Sequence, residues 1–369
     1  MKLTAVELFR TELPLVRPFR TSFGTETVRE ALLVRVEGPD GEGWGECVAG
    51  SEPLYSSEYV DAAWLTLRRW IVPRLLGASD LSAEAVPGLL ADLKGHRMAK
   101  AAIEMAVLDA ELRAEATSFR TYLGGTPGSI AVGVSVGITG TIDDLLAVVS
   151  GHVAEGYQRV KLKIEPGWDL EPVGAVRDML GGEFMLQVDA NTAYDREDAE
   201  HLRRLDEFGL LLIEQPLDEE DILGHVELAR RLETPICLDE SIVSARSAID
   251  AIELGACSIV NIKAGRVGGY LEARKIHDAC RERGTPVWCG GMLETGLGRA
   301  ANLALGTMPG FLLPGDISAT DRYFHEDITP PFILTDGRIA VPEGPGLGVE
   351  VDRATLDRLT SERETIAGG

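Results

Sequence analysis

Short apolar runs recur through the middle of the chain, and each is closed by one polar residue. The runs are Arg159-Val-Lys-Leu-Lys163, Phe184-Met-Leu-Gln-Val-Asp189, Leu210-Leu-Leu-Ile-Glu214, Ile236-Cys-Leu-Asp239 and Ile259-Val-Asn-Ile-Lys263. Their closing residues Lys163, Asp189, Glu214, Asp239 and Lys263 follow one another at steps of 26, 25, 25 and 24 residues. Runs of this length and composition read as buried strands. The stretches between them, such as 195–208 and 244–254, carry helical spacing. A strand-then-helix unit of about 25 residues is the repeat of a parallel α/β fold.

The pattern predicts strands near 130–137, 159–163, 184–189, 210–214, 235–239, 258–263, 286–290 and 311–313, the eight that a (β/α)₈ barrel requires. The last unit is irregular, so the expected architecture is a (β/α)7β TIM-like barrel. Before it, residues 1–50 read as a β-meander, with 31–37 and 44–48 strand-like around the turn-rich Gly38-Pro-Asp-Gly-Glu-Gly43. Helical spacing follows over 57–76, 82–94 and 97–115, and Leu123-Gly-Gly-Thr-Pro-Gly128 reads as a linker. The domain division this predicts is an α+β capping domain over 1–125, the barrel over 126–325, and a segment, 326–369, that returns to the cap.

Composition narrows the function. At 369 residues with 45% hydrophobic residues, the chain is an ordinary globular protein long enough for a barrel and a second domain. A net charge of −23 argues against nucleic acid or an anionic membrane as partner. The start alternates apolar and polar residues, which reads as a strand and not a signal peptide. No run approaches the roughly 18 apolar residues of a membrane helix. Five cysteines without a CxxC pair fit free thiols in a reducing cytoplasm.

In a closed parallel barrel, active sites sit at the C-terminal ends of the strands. Strands two and six lie opposite each other, so Lys163 and Lys263 would face across the mouth, with Asp189, Glu214 and Asp239 on the arc between. Three carboxylates converging in a low-dielectric cleft cannot all stay ionised and unpaired. Pairing of each with a neighbouring lysine is one resolution. A hard divalent cation is the other, and oxygen-only ligands suit Mg²⁺, with Mn²⁺ or Co²⁺ able to substitute. Lys161 and Lys163 are two apart and share a strand face. Neighbouring positive charge, the metal included, is expected to lower a lysine's pKa toward the range of a base. A small carboxylate substrate with its α-carbon between Lys163 and Lys263 would lose its α-proton to give an enediolate, which a metal stabilises.

At these residues the chain resembles the enolase superfamily, in its muconate-lactonising subgroup. The matching segments are Lys161-Leu-Lys163, Val188-Asp-Ala-Asn191, Ile213-Glu-Gln-Pro216, Leu238-Asp-Glu-Ser241 and Asn261-Ile-Lys263. Within the subgroup it is similar to bacterial o-succinylbenzoate synthases of menaquinone biosynthesis that are also N-succinylamino acid (N-acylamino acid) racemases. Supporting stretches are Pro18-Phe-Arg-Thr-Ser-Phe-Gly24, Gly265-Arg-Val-Gly-Gly269, Trp288-Cys-Gly-Gly-Met292 and Glu294-Thr-Gly296. The resemblance implies Asp189, Glu214 and Asp239 as metal ligands, Lys163 and Lys263 as acid/base pair, and Lys161 on the substrate carboxylate. It implies Asn191, Glu240 and Arg266 around that shell. Capping loops near 16–25 and 50–58 would close over the substrate, with Phe19, Phe23 and Tyr55 on its apolar side. Ser135, Gly291, Met292, Leu293 and Asp316 would lie near its amide or tail, and Tyr323 would stand where many relatives carry phenylalanine. A cytoplasmic homo-oligomer, from dimer to octamer, is also implied.

Other readings remain open on sequence. Acid-sugar dehydratases use a histidine near the seventh strand, and 284–290 has none. Dipeptide epimerases share both lysines but meet the substrate ammonium with paired aspartates, where this chain offers Asp316. Muconate cycloisomerase chemistry is a more distant alternative, and a catalytically dead barrel serving as a scaffold is the non-enzymatic one.

Overall fold

The computed structural model describes residues 1–368. Strands β1 (Ala5–Thr21), β2 (Gly24–Gly38) and β3 (Gly41–Cys47) form an antiparallel meander, and the C-terminal strand Thr360–Ala367 pairs along β1. One face of the sheet carries helix α1 (Arg97–Ala114). This helix is rich in alanine, the best helix former. It is buried almost all round because the cap sheet lies on one side and the barrel on the other. Close approach needs glycine opposite it: a Cβ on Gly45 would lie 1.9 Å from the Ala102 carbonyl oxygen.

The barrel sheet runs β4 (Val134–Val136), β5 (Arg159–Lys163), β6 (Met185–Asp189), β7 (Ile213–Glu214), β8 (Ile236–Leu238), β9 (Ile259–Ile262) and β10 (Val287–Cys289), all parallel and in sequence order. Helices α2 (Ile142–Glu155), α3 (Leu170–Leu180), α4 (Ile222–Ala229), α5 (Ala245–Leu254), α6 (Tyr270–Glu282) and α7 (Gly296–Leu305) alternate with the strands. The α/β barrel architecture with a separate capping domain is therefore as the sequence predicts.

Three expectations change in detail. The eighth strand, 311–313, is not a strand. Phe311 bridges Val287 and Gly315 bridges Val132, so the segment still spans both edges of the curled sheet. Pro314 has no N–H to give and cannot sit in a paired strand interior. The first strand is split: Ser129–Ala131 joins Arg338–Ala340 in a small separate sheet, and only Val134–Val136 enters the barrel. The break falls at Gly133, where a Cβ would lie 2.3 Å from the Arg159 guanidinium. Finally, 195–208 holds a single α-turn, Ala199–Leu202, between tighter 3₁₀ turns that begin at the Asp195–Asp198 capping box. By contrast, the second helix named, 244–254, forms as α5 behind the Ser244 cap.

Two buried carboxylates of the cap dock it to barrel helices. Glu46, from β3, accepts from Thr295 N (3.0 Å), Thr295 Oγ1 (2.7 Å) and Gly298 N (3.0 Å) at the N-terminus of α7. Glu104, from α1, accepts from Leu271 N (3.0 Å) in the first turn of α6. Gly269 makes room for it, since a Cβ there would lie 2.2 Å from Glu104 Oε1. Helix N-termini present free N–H groups and partial positive charge, which favours carboxylates.

Candidate active site

Period-two alternation along β5 turns Arg159, Lys161 and Lys163 to one face, and all three are buried inside the ring. Asp189, Glu214 and Asp239 end or follow the next strands and are fully buried. The Lys161 ammonium lies 3.0 Å from Asp189 Oδ2, 2.9 Å from Glu214 Oε2 and 2.6 Å from Asp316 Oδ2. Lys163 donates to Asp189 Oδ2 (2.7 Å) and Asn191 Oδ1 (2.5 Å). Lys263 lies 2.8 Å from Asp239 Oδ2 and 3.0 Å from the Tyr55 hydroxyl, which itself donates to Asp239 Oδ2 (3.1 Å).

The convergence of three carboxylates on one point is thus modified. Among the described residues no three are drawn together into a cation-sized cluster. Ammonium groups stand between them, which is the lysine-pairing alternative named above. The carboxylates around Lys263 act in the opposite sense to a neighbouring cation. Burial works against its charge, but Asp239, Tyr55 and Glu240 outweigh burial and hold it well above the ordinary lysine range. Asp189 is pushed up by burial but held well below the carboxylate range by Lys161 and Lys163. Glu214 is pushed up, first by burial and then by the charge on Asp189.

The surrounding shell is well connected. The Asn191 side-chain amide donates to Glu240 Oε1 (2.9 Å), and its backbone sits in the left-handed region, φ 43°. Arg266 Nη2 lies 2.9 Å from Asp239 Oδ1 but off the hydrogen-bonding direction, so both atoms stay without a hydrogen bond. Trp288 floors the ring, with the Lys161 ammonium 4.9 Å and the Arg159 guanidinium carbon 5.3 Å from its ring centroid. Gly290 leaves space for Lys263, whose Cε would be 2.8 Å from a Cβ there.

The cap closes the mouth. Ser22, at the tip of the β1–β2 hairpin, donates to the Ala190 and Asn191 carbonyls (3.1 and 3.3 Å). The 50–58 loop is tied down by Glu58, whose carboxylate accepts from Arg97 N and Met98 N at the start of α1 (2.6 and 2.9 Å). Beneath lies a cavity of ≈ 200 Å³ bordered by Phe19, Phe23, Tyr55, Met292, Lys163 and Lys263, with Asn191, Gly291 and Leu293 also in its wall. A second, smaller hollow beside it holds Ser135, Asp316 and Tyr323. Phe19 stacks edge-on to Tyr323 at 6.0 Å, and Phe23 lies 5.8 Å from Tyr55. Ser135 Oγ is buried there without a hydrogen-bond partner.

Two of the expected pocket residues make further contacts. Tyr55 is not simply an apolar wall, because its hydroxyl links Lys263 to Asp239. Asp316 is not free to meet a substrate group: Arg159 Nη1 holds one oxygen at 2.6 Å and Lys161 the other at 2.6 Å. Burial raises the Asp316 carboxyl, but Arg159 and Lys161 hold it well below the usual range.

Sequence reasoning passed over Arg159, although its even spacing from Lys161 was available. It also passed over Asn261, two before Lys263 on the same face, whose side-chain amide donates to Glu214 Oε1 (2.5 Å). Gln215, which accepts from Asp239 N (3.0 Å) and Ser241 N (3.2 Å), gave no signal beyond its place beside Glu214.

Comparison with known proteins fits this arrangement. Residues 144–355 match the enolase C-terminal domain-like family model, and residues 4–124 match the mandelate racemase / muconate lactonizing enzyme N-terminal domain. The chain belongs to the enolase superfamily. An N-succinylamino acid racemase of Amycolatopsis sp is 64% identical over 99% of this chain and 100% of its own length. An o-succinylbenzoate synthase of Geobacillus kaustophilus is 48% identical, covering 96% of this chain and 95% of its own. An enolase-superfamily crystal structure from Listeria innocua superposes with a TM-score of 0.95 at 40% identity, covering 100% of both chains.

The site of this superfamily member suits a hard cation on its own chemistry. Asp189, Glu214 and Asp239 supply oxygen donors alone, on adjacent strands. Their charges press on one another, Asp189 and Asp239 both raising Glu214. One buried oxygen, Asp239 Oδ1, has no hydrogen bond to lose to a metal.

Proposed function

We propose that this enzyme removes the α-proton of an N-acylamino acid and returns a proton to the opposite face, interconverting the enantiomers, with N-succinyl substrates favoured. The same enediolate serves an o-succinylbenzoate-forming dehydration, the second reaction we assign to the site. One observation carries this reading. Lys163 on β5 and Lys263 after β9 come from opposite sides of the ring and border the same cavity.

In this proposal Lys163 and Lys263 move the proton, one on each face of the α-carbon. Lys161 holds the substrate carboxylate, and Trp288 beneath it keeps its ammonium from sinking into the ring. Tyr55, hydrogen-bonded to Lys263, orients that lysine and shuts out water from the cap side. Asp189, Glu214 and Asp239 would hold a divalent cation, with Asn191, Glu240 and Arg266 supporting them. Superfamily members generally use such a metal. We assign Mg²⁺, with Mn²⁺ or Co²⁺ able to replace it, and when bound it supplies positive charge to the enediolate. Among the described residues no helix is long and apolar enough to cross a membrane, and all five cysteines are free and buried. These features support a cytoplasmic enzyme, which we take to be a homo-oligomer.

Dipeptide epimerisation is the runner-up. It needs a carboxylate for a free ammonium, and both oxygens of Asp316 are already engaged by Arg159 and Lys161. An unblocked amine would be left without a counter-charge. The deciding experiment follows α-proton exchange by NMR in D₂O with the Mg²⁺-loaded enzyme. N-succinyl amino acids, free dipeptides and the o-succinylbenzoate precursor are run side by side. N-succinyl amino acids should exchange and invert fastest. Faster turnover of dipeptides moves the assignment to the runner-up.

A further inference from the structure

Arg29 is a buried cation that the reading above leaves unused. It sits on β2 opposite Leu13, with its side chain only 2% exposed. Nε and Nη2 are buried and make no hydrogen bond. Its one ion-pair contact among the described residues is long, 3.8 Å from Nη1 to Glu26 Oε1, and Glu26 is partly exposed. Glu46, the buried carboxylate whose charge Arg29 feels, is already committed to the N-terminus of α7. An unpaired buried guanidinium is costly to keep, so its retention beside a cleft points to a ligand that completes it. Arg29 borders the same cavity as Lys163 and Lys263.

We propose that Arg29 receives the substrate's second carboxylate, the one remote from the reacting carbon. This rests on the reading under Proposed function and deepens it, because in an N-succinylamino acid that group is the succinyl terminus. A guanidinium meets a carboxylate with two parallel N–H donors; Nε and Nη2 are enclosed, so the guanidinium must turn toward the cavity to present them. The rest of the wall mixes apolar Phe19, Phe23, Leu54 and Met292 with polar Thr21, Thr25 and Ser51 and the carboxylates Glu26 and Glu52. A neutral acyl chain of equal length would bury its end against that wall and leave Arg29 unpaired.

The test compares kcat/KM for an N-succinyl amino acid with that for its N-butanoyl analogue, which has the same chain length and no charge. The parent enzyme should prefer the succinyl substrate by about 10- to 100-fold, the range for a charge-assisted pair. Arg29→Met should collapse that ratio, chiefly through KM for the succinyl substrate, and Arg29→Lys should restore part of it. A ratio unchanged in Arg29→Met overturns the proposal, since a purely structural role would depress both substrates alike. Should Arg29→Met fail to fold, the parent ratio and Arg29→Lys decide. A parent enzyme with no preference for the charged acyl group overturns the proposal without any variant. Failure to racemise either acyl substrate while epimerising dipeptides would instead sink the function itself.

Discussion

Glu46 should make the stability of this protein fall as pH rises through neutrality. Its carboxyl is fully buried between cap and barrel, and burial followed by the nearby charge of Glu294 pushes it up to about 7, from an ordinary value of 4.5. Hydrogen bonds from Thr295 and the distant charge of Arg29 oppose this but do not cancel it. A carboxyl raised in the folded state binds its proton more tightly there than in the unfolded chain. The resulting stability is fully present below pH 4.5 and is lost as pH rises through about 7. At 1.36 kcal/mol per pH unit, that interval is worth roughly 3 kcal/mol. Glu46→Gln removes the titration while keeping an oxygen that can accept from Thr295 and Gly298. Denaturant unfolding of parent and variant at pH 5 and pH 8 isolates the effect, because Glu104 and the other titrating groups that do not sense Glu46 cancel in the difference. The variant should gain about 2.5 kcal/mol on the parent between those two pH values. A difference that stays constant within roughly 0.5 kcal/mol would refute the reasoning. It would mean that the helix N-terminus keeps Glu46 ionised throughout.

The remaining predictions concern the site and the cap. A chelator should abolish turnover and Mg²⁺ or Mn²⁺ should restore it, while Asp239→Asn should lose activity with its circular dichroism spectrum intact; full activity in a verified metal-free sample would remove the metal assignment. Lys163→Ala and Lys263→Ala should each lower racemisation by about 10²- to 10⁴-fold. In D₂O, residual exchange should label opposite enantiomers in the two variants, without inversion; a Lys263→Ala enzyme racemising near the parent rate is the outcome that defeats the two-base scheme. Gly45→Ala should destabilise by about 1–3 kcal/mol, read as a lowered Tm, because its Cβ would lie 1.9 Å from a backbone oxygen of α1.

The barrel and the polar residues at its strand ends were legible because both rest on local periodicity. Strand alternation places Lys161 beside Lys163, and a repeat near 25 residues brings Asp189, Glu214 and Asp239 to one end of one sheet. The same alternation, applied one step further, also reaches Arg159 and Asn261. What periodicity does not carry is which partner each side chain takes. Lys161 could serve a substrate or a neighbour, and the folded chain has it touching three carboxylates at once. The cap's grip on the barrel was illegible for a different reason. Glu46 meets Thr295 across 249 residues and Glu104 meets Leu271 across 167, with no repeat or motif joining them.

Tyr55 shows how these two kinds of information meet. Its loop has no regular pattern, so sequence assigns it only an aromatic wall. In the fold, Glu58 anchors that loop to the start of α1, and α1 is wedged between the cap sheet and the barrel. The Tyr55 hydroxyl therefore reaches Lys263 through a chain of rigid parts, not through its own loop. Anything that lifts α1 from β3 should displace this hydroxyl before it disturbs the barrel strands. Gly45→Ala acts at that contact, so its loss of activity should exceed its loss of barrel structure, and rescue by cap-stabilising conditions should return both Tyr55 and turnover together.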